Sequence, residues 1–301
     1  MKKICIILTV ILALSLKSEA QHEPIFTQYG MNQAIFNPAY VSVNNVINVA
    51  LMSRKQWVGL KGAPFTNTLM GSTTFFGNKG GAGLVIHSNV YGVTNNVEIM
   101  AQAGYKVHLG INAQLCIGLQ GGYLQYKNDF SSVEEAASDP VFENTVESIN
   151  KPNVGFGLFY NTNNFYIGLS IPKYIEYGAE KTTSDVLVYK RHYYGSVGAI
   201  LPLGLLKLKT SGLVIFSEND LSYELGASIL LAETIWAGLF TRNLTAVGAM
   251  GQIELTDRLK VGLTVELPST ELVVNQYGSY EAFVSFELAA LKRQILERRY
   301  F

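Results

Sequence analysis

From about residue 45 to residue 289 the chain alternates apolar with polar or small residues. Successive side chains of a strand point to opposite faces, so this period of two marks strands with one apolar face. In the clearest stretch Val97, Ile99, Ala101, Ala103, Tyr105 and Val107 oppose Glu98, Met100, Gln102, Gly104, Lys106 and His108. Leu259, Val261, Leu263, Val265 and Leu267 oppose Lys260, Gly262, Thr264 and Glu266, and Tyr280, Ala282, Val284, Phe286 and Leu288 oppose Glu281, Phe283, Ser285 and Glu287. The pattern recurs over 113–126 and 221–231, where Ser222, Glu224 and Ser228 share the polar face. Turn-forming clusters of Gly, Asn, Asp and Pro separate the runs. They predict fourteen strands, near 45–55, 64–76, 81–90, 94–107, 112–127, 151–160, 164–173, 188–201, 205–217, 221–232, 234–243, 245–256, 259–267 and 279–289.

A wall between lipid and an aqueous lumen must alternate in this way, and strands of roughly 9–11 residues cross a membrane when tilted. The even count and the lengths predict an all-β fold, a 14-stranded antiparallel transmembrane β-barrel of the bacterial outer membrane. With both termini in the periplasm, odd-numbered connections face outside. The longest, 128–150, 174–187 and 268–278, follow strands five, seven and thirteen, as the short-periplasmic, long-extracellular asymmetry requires. A soluble propeller would repeat at a fixed period, which is absent, and sandwich strands run shorter, at about 5–6 residues.

Composition agrees. Charged residues make up 15% of the 301, against about 25% in an ordinary soluble domain, and mean hydropathy is +0.18. No run past the N-terminus approaches the roughly 20 apolar residues of a transmembrane helix. The 23 basic and 23 acidic residues cancel, which argues against nucleic acid as a partner.

Lys2 and Lys3, an apolar run from Ile4 to Leu16, and Ser18 and Ala20 before Gln21 read as a secretory signal peptide over 1–20, removed after Ala20. Its loss takes Lys2, Lys3, Lys17 and Glu19, so 23 basic and 23 acidic residues become 20 and 22. It also takes Cys5, leaving Cys116 alone and excluding an intrachain disulfide. The mature chain divides into a polar, irregular segment at 21–43, periplasmic or a plug, a barrel over 44–289, and a basic periplasmic tail at 290–301. The inward face is rich in glycine, including Gly104, Gly118, Gly157, Gly226 and Gly262. Two readings stand side by side: tight wall curvature, or room for a segment inside.

Chemistry is sparse. His22, His87, His108 and His192 show no metal-ligand spacing, and His108 and His192 read as polar lumen wall. The glycines of 77–83 lack the Gly-Lys-Ser/Thr order of a phosphate-binding loop and read as a hairpin turn. His87 and Ser88 are adjacent in a strand, so they point apart and cannot act as base and nucleophile. The acidic run from Asp129 to Glu147 reads as a long solvated loop, long enough for a binding role. Neither an enzyme nor a cofactor is expected.

The mature N-terminus reads Phe26, Thr27, Gln28, Tyr29, then Asn37, Pro38, Ala39, Tyr40. Arg54, Gln56, Trp57, Gly59, Gly62, Ala63 and Pro64 follow, and the chain ends Arg299, Tyr300, Phe301. This pattern resembles the PorP/SprF family, outer-membrane proteins of the type IX secretion system, in its Phe-Ser-Gln-Tyr, Asn-Pro-Ala, Arg-x-Gln-Trp and Gly-Ala-Pro blocks. Thr27 stands where serine is commoner. The resemblance implies a non-enzymatic part in export or surface attachment of secreted proteins, in some members linked to gliding adhesins. It implies partners among other secretion-system components or a secreted cargo, besides membrane lipid, and no cofactor. Phe26, Gln28, Tyr29, Asn37, Pro38, Arg54, Trp57, Gly62, Pro64, Arg299 and Phe301 are the candidate motif or partner-contact positions. A structural part is the competing reading for Asn37, Pro38 and Trp57: Pro38 holds Asn37 extended, and Trp57 suits a membrane interface. An outer-membrane channel is the alternative function.

Overall fold

In the computed structural model, residues 26–110, 112–129, 146–177, 189–204, 206–218, 220–269 and 276–289 are described. The expected signal peptide and its cleavage after Ala20, His22, the acidic run over 130–145, and the tail with Arg299 and Phe301 lie outside them.

Fourteen antiparallel strands close into one barrel. They are β1 (Val46–Lys55), β2 (Phe65–Phe75), β3 (Gly80–Tyr91), β4 (Thr94–His108), β5 (Gln114–Asp129), β6 (Val146–Asn161), β7 (Phe165–Ile171), β8 (His192–Leu203), β9 (Leu206–Ser217), β10 (Asp220–Leu231), β11 (Ile235–Arg242), β12 (Ala246–Glu254), β13 (Leu259–Pro268) and β14 (Ser279–Ala289). Each pairs with its sequence neighbours, and β1 closes on β14 from Val46 opposite Ala289 to Lys55 opposite Tyr280. Closure leaves no edge in the wall, the condition for crossing lipid with strands.

Alternation sorts the side chains. Val49, Ile99, Leu239 and Leu263 point outward and stay exposed, while Gln102, Glu224, Thr264 and Glu281 point inward and are buried. The long connections 56–64, 130–145, 172–191 and 269–278 all follow odd-numbered strands. By the short-periplasmic, long-extracellular asymmetry of such barrels we take that end as the outer end and the opposite end, with its short turns, as the inner one.

Most expected boundaries fall within two residues of the observed ones; β6 and β8 depart further, β8 beginning at His192 rather than 188. β6 begins at Val146 rather than 151, because β5 and β6 remain paired out to Asp129 opposite Val146. Pro152 lies inside β6, within the expected part of the strand, where a residue without an N–H would break a ladder with a paired neighbour. It is tolerated because β7 pairs with β6 only from Phe156 to Asn161, so Pro152 loses no ladder bond on that side. β7 ends at Ile171 rather than 173, and the chain turns inward. There the Pro172 carbonyl accepts from Gln120 Nε2 (2.7 Å), and Lys173 Nζ reaches Glu98 across the lumen (2.7 Å).

The lumen is filled. Met52, Met70, Leu124, Phe159 and Phe283 point inward and are fully buried, so at this level the inward face meets protein rather than water. What Met52, Met70, Phe159 and Phe283 pack against is the segment from Phe26 to Val43, in three 3-10 turns, η1 (Thr27–Gly30), η2 (Gln33–Ile35) and η3 (Pro38–Ser42).

Candidate functional site

The lumen segment folds by local rules. Asn32 and Asn37 sit extended before η2 and η3, and each side-chain oxygen accepts from the backbone N–H two residues on, at 3.0 Å. These are capping interactions, and Pro38 takes the first helical position, where a missing N–H costs nothing. Asn37 also donates from Nδ2 to the Leu158 carbonyl (3.0 Å), tying the cap to β6.

η3 is locked by shape. A Cβ at Gly118 would overlap the backbone of Ala39, and one at Gly157 would overlap the Asn37 side chain. Tyr40 meets Phe159 edge-on at 5.4 Å, and Phe159 stacks on Tyr166 at 5.4 Å. Gly122 and Gly238 instead face the backbone of the adjoining strand. Room for a segment inside thus accounts for Gly118 and Gly157, while at Gly122 and Gly238 it is the neighbouring strand that leaves no space for a side chain. Cys116 is buried in the same cluster.

η1 is held by charge. Toward the outer end, Arg54 pairs with Glu266 (3.0 Å) and Glu281 (3.3 Å), and Arg242 pairs with Glu224 (2.7 Å) and Glu266 (2.7 Å). Two guanidiniums face three carboxylates, and the segment's own donors complete the set. The backbone N–H groups of Thr27 and Gln28 donate to Glu281 at 3.1 and 2.7 Å. The Thr27 hydroxyl accepts from Arg242 (3.0 Å) and donates to Glu224 (3.1 Å). Gln28 bridges Thr264 (2.8 Å) and Gln252 (2.8 Å). Charges taken from water persist only where partners satisfy them. Around the cluster, Phe26 enters a pocket of Met52, Met70, Val85 and Phe283, and Tyr29 packs on Phe36, Leu213 and Ile215.

Six of the candidate positions, Phe26, Gln28, Tyr29, Asn37, Pro38 and Arg54, thus come together inside the barrel. Trp57, Gly62 and Pro64 lie apart from them, in the 56–64 connection at the outer end. Trp57 has φ +44°, is 38% exposed, and donates its N–H to Ser279 Oγ (3.2 Å). The Gly62 carbonyl accepts from Gly92 N (2.9 Å) at φ +74°, and the Pro64 carbonyl accepts from Gln56 N (2.9 Å). The neighbouring Val58 exchanges backbone bonds with Tyr277 and Gly278, so two outer connections form one surface.

Sequence reasoning singled out Arg54 but not its partners. Glu224, Glu266 and Glu281 were legible as charges on inward faces; that they meet Arg54 and Arg242 depends on strand register, which sets Arg54 opposite Glu281 and Arg242 opposite Glu224 on neighbouring strands. Of the histidines, His87 bonds Thr68 (2.6 Å) and packs near Phe26, His192 is buried on the inward face, and His108 is exposed at the end of β4. Among the described residues no group of three or more His, Cys, Asp or Glu could hold a metal ion.

A closed barrel with an apolar outer band and a lumen occupied by its own N-terminal segment defines an integral outer-membrane β-barrel protein. The sequence matches the family described as type IX secretion system membrane protein PorP/SprF over residues 18–286, and the chain belongs to that family. No curated protein matches it. Among solved structures, the toluene transporter TodX of P. putida superposes with a TM-score of 0.50 at 11% identity, over 85% of this chain and 93% of that one. A TodX deltaS2S3 mutant, a monoaromatic hydrocarbon channel, gives 0.50 at 10% identity over 92% and 98%. At such identities the likeness shows the outer-membrane barrel fold alone.

Proposed function

We propose that this barrel assists the export or surface attachment of proteins secreted by the type IX system, gliding adhesins among them, by binding a partner and without chemistry of its own. The observation that carries this reading is the filled lumen. With Arg54, Gln28, Asn37 and Ala39 essentially without exposure, the working surfaces are the two ends of the barrel. At the outer end the joined connections 56–64 and 276–278 present Trp57 and Tyr277, the latter 75% exposed, as aromatic anchors of the kind interfaces favour. On this reading Trp57, Gly62 and Pro64 shape a contact surface. Phe26, Gln28, Tyr29, Asn37, Pro38 and Arg54 keep the lumen closed, and the tail at 290–301, with Arg299 and Phe301, serves the periplasmic side.

Affinity purification from the native envelope in mild detergent tests it. A further component of the secretion machine or a secreted cargo co-elutes, and Trp57→Ala with Tyr277→Ala reduces its yield; recovery of the barrel alone contradicts the reading. The second reading, a substrate-selective channel, is favoured by the transport named for the TodX structures, and steady conductance would support it.

A further inference from the structure

The lumen segment is held in two physically different ways. η3 interlocks with β5 and β6, its backbone pressed on Gly118 and its Asn37 cap on Gly157, so it cannot shift without moving the wall. η1 rests on the opposite side, on β10, β11, β13 and β14, through hydrogen bonds to the charged and polar side chains of those strands. Its one glycine contact in the wall, Gly262, meets only the end of the Gln28 side chain. η1 ends at Gly30, where the nearest atom to an added Cβ is Lys209 Nζ at 3.7 Å; the same Nζ donates to the Gly30 carbonyl (3.3 Å), a bond that a turn there breaks. Clustered buried charges seldom outdo well-packed apolar residues in stability, and their best-attested use is to specify one state over another.

We propose that η1 is an autoinhibitory gate: it swings about Gly30 while η3 stays in place, and the Arg54–Arg242–Glu224–Glu266–Glu281 cluster is its latch. The closed state is the resting one, because Phe26 and Tyr29 are buried beside the latch and must be exposed when it opens. Opening clears the lumen along β10–β14 and leaves a polar lining that includes Thr264, Gln252 and the latch charges. The inference stands independently of which partner the barrel binds.

The test uses the full chain in liposomes, in a Cys116→Ser background, with a thiol introduced by Gly30→Cys or by Ser42→Cys. The latch is weakened by Glu224→Gln with Arg242→Met, which removes one charge of each sign, or by Glu224→Gln alone if the pair does not fold. Only protein giving the heat-modifiable folded band is scored. Maleimide labelling at position 30 rises about tenfold or more, the shift that ~1.4 kcal/mol of lost hold produces, while position 42 is unchanged. Crosslinking Gln28→Cys to Thr264→Cys abolishes any conductance that the weakened latch allows. Unchanged labelling at 30 in a folded latch variant overturns the proposal. So does a joint rise at 30 and 42, which means that the whole segment leaves or the wall loosens.

Discussion

Arg54 touches two carboxylates at once, so shortening it leaves Glu281 and Glu266 buried with less compensation. Breaking a buried pair costs about 3–5 kcal/mol, and Arg54→Met should lower the denaturant midpoint of the folded barrel accordingly. Arg54→Lys, which keeps the charge but not the fork that spans both partners, should fall between. Gly118 supplies a second test. Gly118→Leu drives a side chain into Ala39 and should abolish the folded band on gels. Gly251→Leu, where an added Cβ meets nothing within 4 Å, should leave it intact. At this scale the sequence was only half legible. The inward charges at 224, 266 and 281 stood out in the alternation, but nothing local gives the closure that sets Arg54 of β1 opposite Glu281 of β14, and Arg242 went unnoticed.

At the scale of elements, a period of two is a local signal that survives reading one residue at a time, which is why strands such as β4 and β13 appear close to their expected limits. β6 does not, because the acidic run ahead of it reads as a solvated loop, and the sequence does not tell that β5 and β6 stay paired out to Asp129 and Val146. Leu158 pairs on both sides, with Ile117 and with Leu169. Leu158→Pro should therefore prevent folding, whereas Pro152→Ala should leave the heat-modifiable band and the denaturant midpoint unchanged. The lumen segment was legible only as polar and irregular. Its turns are set by Asn32 and Asn37, whose capping role shows in sequence once a helix is suspected, but 3-10 turns this short carry no apolar period to raise the suspicion.

The whole molecule has one closed wall, one filled interior and two unlike ends. From the asymmetry of its connections Lys61 is expected outside and Gly110 inside. Lys61→Cys should react with an impermeant maleimide on intact cells, and Gly110→Cys only after the outer membrane is permeabilised; the reverse pattern would invert the barrel. Fold and family were both within reach of the sequence, the first through alternation and the second through short blocks such as Asn37-Pro38-Ala39. The closed state stood only as one of two readings, 21–43 being periplasmic or a plug, because the choice is made where segments distant in the chain meet. It is also what separates a partner-binding barrel from a pore. Single-channel recording of the unsubstituted protein in planar lipid bilayers tests it most directly. A quiet baseline after insertion, without long-lived steps, is the expected record, and large, steady steps in most insertions would contradict it.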